Sequence, residues 1–102
     1  MSDGLKDRHR QAIRDILRTH PGVERAVLFG SRAMGTFTPS SDVDLCLDGA
    51  TLTLSDLAYL GRQMEALSIP QRVDFLLRKD IKEKELLDHI EQNGVEWYRR
   101  SP

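Results

Sequence analysis

The sequence predicts a small α/β domain, more closely α+β, in which a mixed β-sheet is flanked by helices. Three observations carry that prediction. Apolar residues recur at helical spacing in three segments. They alternate with polar residues from Asp42 to Asp48 and from Arg72 to Leu77, and they run together at Ala26-Val27-Leu28-Phe29. Breaks rich in Gly, Pro and Ser separate these stretches. A length of 102 residues fits one domain, taken as residues 1–102.

The first helix is read from Leu5, Ala12, Ile13, Ile16 and Leu17, which form one stripe with charged residues between them. His20-Pro21-Gly22 ends it, because proline disfavours helical geometry in the residue before it. Val23 to Phe29 reads as a buried strand, and Gly30 to Ser41 as a loop with one helical turn from Ser31. In the next strand Val43, Leu45 and Leu47 face one side, while Asp42, Asp44, Cys46 and Asp48 face the other. Leu57, Leu60, Met64 and Leu67 mark a second helix, with Ser55 as its N-cap and Ser68-Ile69-Pro70 as its break. From Arg72 to Leu77, Val73, Phe75 and Leu77 lie opposite Arg72, Asp74 and Leu76. Asp80 and Glu83 read as a capping box for a third helix carrying Ile81, Leu86, Leu87 and Ile90. Asn93-Gly94 is expected to close it as a left-handed C-cap. The tail from Val95 to Tyr98 is expected to pack back on the body. With Arg99 and Arg100 it reads equally as a partner anchor or as a cap on the core. The expected total is three strands and three helices.

Composition excludes several function classes. A net charge of −1 does not supply the basic face of a protein that coats nucleic acid, so direct nucleic-acid binding is not expected. Cys46 is the single cysteine and cannot form an internal disulfide. No stretch approaches the ~18 apolar residues of a membrane span, and the N-terminal MSDGLKDRHR is too polar for a secretory signal. A cytoplasmic location without a membrane partner is therefore expected. With 39% hydrophobic residues the chain builds one modest core, so a second substrate is expected from solution or from a partner protein.

The chemistry-bearing residues lie on the polar sides of the strands. Asp42 and Asp44 point the same way within ~7 Å of each other, and carboxylates that close raise each other's pKa unless a cation neutralises them. Alone the pair reads equally well as a solvated polar face. Asp74 adds a third carboxylate in the same alternating phase, on a strand otherwise strongly apolar, where aspartate is disfavoured. Three oxygen donors on one sheet face suit a hard cation such as Mg²⁺. Two such ions about 3.5–4 Å apart clamp the attacking and leaving oxygens of a nucleotidyl transfer. Gly30-Ser31, directly after an apolar strand, lets the backbone approach a ligand and offers donors to a phosphate, with Arg32 as a possible added charge. No Gly-Lys-Ser/Thr follows, which excludes a Walker loop. His9, His20 and His89 are far apart and read as surface or core residues, and Cys46 reads as a small strand residue.

The stretch Gly30-Ser31-Arg32-Ala33-Met34-Gly35, followed after six residues by Asp42-Val43-Asp44-Leu45, resembles the signature of the polymerase-β-type nucleotidyltransferase superfamily. Val73-Asp74-Phe75 matches the family's third carboxylate. The Gly-Ser-Arg-Ala form, the Ser41-Asp42 junction and the Asn93-Gly94-Val95 ending are similar to the minimal nucleotidyltransferases, encoded beside a HEPN-type partner as toxin–antitoxin pairs. The resemblance implies the polymerase-β-like fold and a triphosphate held by Gly30 and Ser31 with Arg32 as helper. It implies two Mg²⁺ ions held by Asp42, Asp44 and Asp74, the last also helping to activate the acceptor hydroxyl. Many minimal members carry a basic residue where this chain has Met34, which is expected to weaken triphosphate binding. The implied activity is transfer of AMP from ATP to a hydroxyl, such as a tyrosine, on a HEPN-type toxin, with this chain as antitoxin. A second reading is an antitoxin that neutralises its partner by binding alone. A third, an enzyme modifying a small molecule such as an antibiotic, fits only the core motif.

Overall fold

The computed structural model describes residues 3–101. Four strands form one mixed sheet in the order β3-β2-β1-β4. The elements in chain order are α1 (Asp7–Thr19), β1 (Arg25–Phe29), α2 (Ser31–Met34), β2 (Val43–Asp48), α3 (Leu54–Glu65), β3 (Val73–Leu77), α4 (Lys84–Asn93) and β4 (Val95–Arg99). β1 pairs antiparallel with both β2 and β4, and β2 pairs parallel with β3. Among the described residues no helix is long and apolar enough to cross a membrane.

The two faces of the sheet bury different side chains. Val43, Leu45 and Leu47 of β2 join Ile13 and Leu17 of α1, and Leu60 and Met64 of α3, in the main core. On the other face Val27, Phe29 and Cys46 pack under Ile90 of α4. Since successive strand residues alternate faces, Asp44, Cys46 and Asp48 share α4's side of the sheet. α4 covers the β1 side of that face, leaving Leu76 of β3 exposed. The expected fold class holds: a mixed sheet flanked by helices.

Four local expectations are corrected. The tail is a fourth strand, and its alternation is masked by a bulge. Ala26 pairs with Tyr98 but Val27 with Glu96, so Trp97 is the extra residue. α3 starts with Thr53 as N-cap, two residues before Ser55: Thr53 and Asp56 exchange the two bonds of a capping box. Asp80 and Glu83 form no such box. Asp80 lies in a 3₁₀ turn (Arg78–Asp80), and Glu83 is the N-cap of α4 without a side-chain bond. Gly94 is extended, at φ −66° and ψ 149°, not left-handed. It is glycine for lack of room, since a Cβ there would fall 2.3 Å from the Ile90 carbonyl oxygen and 2.5 Å from Val27 Cγ1.

The tail serves the core. Trp97 is buried, its carbonyl accepts from Arg14 Nε at 2.8 Å, and the Arg10 and Arg14 guanidinium groups lie over its ring. Arg100 donates to the carbonyls of Val23, Arg18 and His20, three of the acceptors around the end of α1.

Candidate active site

β1 runs out at Phe29 and turns through Gly30 into the single turn of α2. Gly30 stands at φ 78°, ψ −156°, where an L side chain is strained. Space demands glycine as well, because a Cβ would lie 2.5 Å from Asp44 Oδ2. The turn is thus seated directly against the Asp44 carboxylate. Ser31, the first residue of α2, has no partner for its hydroxyl among the described residues.

The strand register gathers the carboxylates. Phe29 pairs with Asp44, and Asp44 with Asp74, so the two aspartates sit opposite each other on adjacent strands and on one face. Asp42 lies just before β2 and is exposed, while Asp44 and Asp74 are partly buried. Burial pushes the Asp44 carboxyl above its ordinary range, and the charges of Asp74 and then Asp42 push it further.

Among the described residues no three His, Cys, Asp or Glu side chains converge as a ready-made metal cage. Asp74 Oδ1 is turned to its strand neighbour Arg72, accepting from Nε at 3.1 Å. The donor set nonetheless fits a hard divalent cation: oxygen ligands only, one of which resists ionisation through its burial and then through its charged neighbours. Arg72, with its guanidinium exposed beside Asp74, was not singled out by sequence, where it reads only as one polar position of an alternating strand. From Asp74 an open groove of ≈ 800 Å³ runs between β3 and α3, walled by Leu57, Met64, Ile69 and Phe75.

Arg32 departs from its expected role as phosphate helper. It is 2% exposed, and its guanidinium serves the loop between α2 and β2. Nη1 donates to the Asp3 carbonyl at 2.8 Å, and Nη2 and Nε to the Ser41 carbonyl at 2.9 and 3.1 Å. The Phe37 ring lies beneath it, 5.0 Å away. Arg32 is therefore a strut that fixes the residue before Asp42. A fork with five donors suits a cluster of loop carbonyls as well as it suits a phosphate, and sequence does not say which it meets.

His89, set aside on sequence, does reach the turn: its Nε2 accepts from the Gly30 N–H at 3.1 Å. Because the two residues are 59 positions apart, no local pattern could have signalled this contact. His20 bridges α1 and α3 through Asp56 at 3.1 Å, away from the carboxylates. Cys46 is buried between Asp44 and Asp48, and burial pushes its thiol up to about 11, which removes it as a nucleophile.

The profile of the family "Polymerase beta, Nucleotidyltransferase" matches residues 11–102. Among solved structures, a chain of a toxin–antitoxin complex with AMP-PNP has TM-score 0.73 at 22% identity, over 89% of this chain and 73% of that one. A chain of the complex of tri-AMPylated Shewanella oneidensis HEPN toxin with MNT antitoxin gives 0.69 at 18% identity, over 94% and 74%. A chain of the MntA–HepT toxin–antitoxin structure gives 0.68 at 18% identity, over 93% and 74%. At these identities the likeness is one of fold. No curated protein matches the chain.

Proposed function

The chain belongs to the polymerase beta nucleotidyltransferase family, and on that premise we propose that it is a Mg²⁺-dependent adenylyltransferase moving AMP from ATP to a protein hydroxyl. The observation that carries this reading is the pairing of Asp44 with Asp74 in register, with the Gly30 turn seated against Asp44. One cluster thereby offers carboxylates for a cation and, at Ser31, an uncommitted hydroxyl for a phosphate.

In this reading Ser31 holds the triphosphate, and Gly30 lets it approach the sheet. Asp42, Asp44 and Asp74 hold Mg²⁺, one ion or two, which when bound offsets the charge of the phosphates. Asp74, at the rim of the groove, orients the acceptor hydroxyl and takes up its proton. The acceptor oxygen bonds to the α-phosphorus of ATP, the bond to the β-phosphate oxygen breaks, and pyrophosphate leaves with the electron pair. Arg32 contributes by fixing the segment into Asp42.

The partner would be a HEPN-type toxin and this chain its antitoxin, in the cytoplasm where ATP is available. Support comes from the solved complexes of similar fold, one of which holds an AMPylated HEPN toxin. The test is incubation with labelled ATP, Mg²⁺ and the protein encoded by the neighbouring gene. Label should pass to the partner and vanish with Asp42→Asn or Asp44→Asn. If no label transfers and those variants neutralise the partner as well as the wild type, the chain is a binding-only antitoxin and the proposal falls.

A further inference from the structure

His89 lies on α4, and its ring stands edge-on to Phe29, with centroids 6.4 Å apart at 78°. Accepting the Gly30 N–H at 3.1 Å requires Nε2 to be unprotonated, so the neutral ring carries its proton on Nδ1. Asn93 Nδ2, one helical turn further, lies 3.4 Å from Nδ1; a donor there cannot receive the Nδ1 proton, so Asn93 would join only with its amide turned to present Oδ1. The His89–Gly30 bond ties α4 to the turn after β1.

That tie acts on a residue with no side chain of its own. The Gly30 carbonyl accepts from Met34 N at 3.2 Å, closing α2, and its Cα faces the Asp44 carboxylate. The remaining group, the N–H, sets the plane of the Phe29–Gly30 peptide, and with it the direction in which Ser31 is presented. A Gly30 N–H bonded to His89 is also withdrawn from any phosphate. We infer that His89 is a positioning residue for nucleotide binding: its Nδ1–H tautomer holds the Phe29–Gly30 peptide so that Ser31, and not the Gly30 N–H, meets the triphosphate.

This inference rests on the nucleotidyl-transfer reading above, and the experiment separates the two. ATP is titrated against the full chain with its acceptor partner, for the wild type, His89→Phe and His89→Gln. Phenylalanine keeps a ring against Phe29 without the acceptor, and glutamine restores a carbonyl acceptor. An unpaired donor at Gly30 should raise KM for ATP about tenfold in His89→Phe with kcat changed less than about twofold, and His89→Gln should recover most of the loss. An unchanged KM, a fall in kcat at constant KM, or no rescue by glutamine overturns the inference. Should the phenylalanine variant fail to fold, ¹⁵N spectra of the wild type decide. They should show Nε2 unprotonated and coupled to the Gly30 amide, and a protonated Nε2 overturns the inference. A wild type with the expected tautomer that transfers no label overturns the nucleotidyl-transfer reading instead.

Discussion

Replacing Arg32 by lysine keeps the positive charge and removes the fork, which separates a structural strut from a phosphate ligand. The guanidinium serves two main acceptors at once, the Asp3 carbonyl at 2.8 Å and the Ser41 carbonyl at 2.9 Å. An ammonium is a compact point charge on a flexible stem and reaches one of them. A hydrogen bond involving a charged group contributes about 1.5–3 kcal/mol, and one such interaction is lost. With roughly 4–8 °C of midpoint per kcal/mol for a domain of this size, Arg32→Lys should melt about 6–24 °C below the wild type. Arg32→Met loses both interactions and leaves two carbonyls unpaired, so at about 1–3 kcal/mol for each it should be destabilised further, by about 2–6 kcal/mol. The assay is thermal melting followed by circular dichroism, without nucleotide or Mg²⁺. If both variants melt with the wild type while KM for ATP rises, the guanidinium belongs to the triphosphate site and the strut is refuted.

Four other outcomes follow from the same geometry. Gly30→Ala adds about 1–2 kcal/mol of backbone strain and drives a methyl into Asp44, so kcat/KM should fall more than about tenfold; a variant within twofold of wild type would contradict the contact. Asp44 titrates above its unfolded value, so its ionisation opposes folding as pH rises past the ordinary carboxylate range. Asp44→Asn should therefore melt higher than wild type at neutral pH, with the difference fading in acid below about pH 4; a lower neutral melting point would refute this. Gly94→Ala should destabilise by about 1–3 kcal/mol through overpacking against Ile90 and Val27, read by urea unfolding. Cys46, buried and with its thiol near 11, should react with a thiol reagent only as fast as the chain unfolds, so prompt labelling would count against its placement.

The shared phase of Asp44 and Asp74 was legible because a strand has a period of two, and one face buried against a core pins the register. The same logic failed at β4, where the bulge at Trp97 puts two residues opposite one and destroys the alternation that would have revealed the strand. Thr53 was legible in principle: Asp56 follows it by three, the spacing of a capping box, but Ser55 is an equally good cap residue by type. Arg32 and His89 were not legible. Which way a long side chain turns, and which turn a helix 59 positions downstream meets, depend on packing that no local pattern encodes.

Arg14, Arg32 and Arg100 give this chain tertiary cross-links of an unusual kind. Each guanidinium binds backbone carbonyls from distant segments: Trp97 from α1, Asp3 from α2, Val23 from the residue after β4. Disulfides do this work in many small domains, but they answer to the redox potential around them. A guanidinium tie answers to neither potential nor ordinary pH, since arginine stays protonated throughout. With its one thiol buried and protonated, the fold should keep its shape unchanged between reducing and oxidising surroundings.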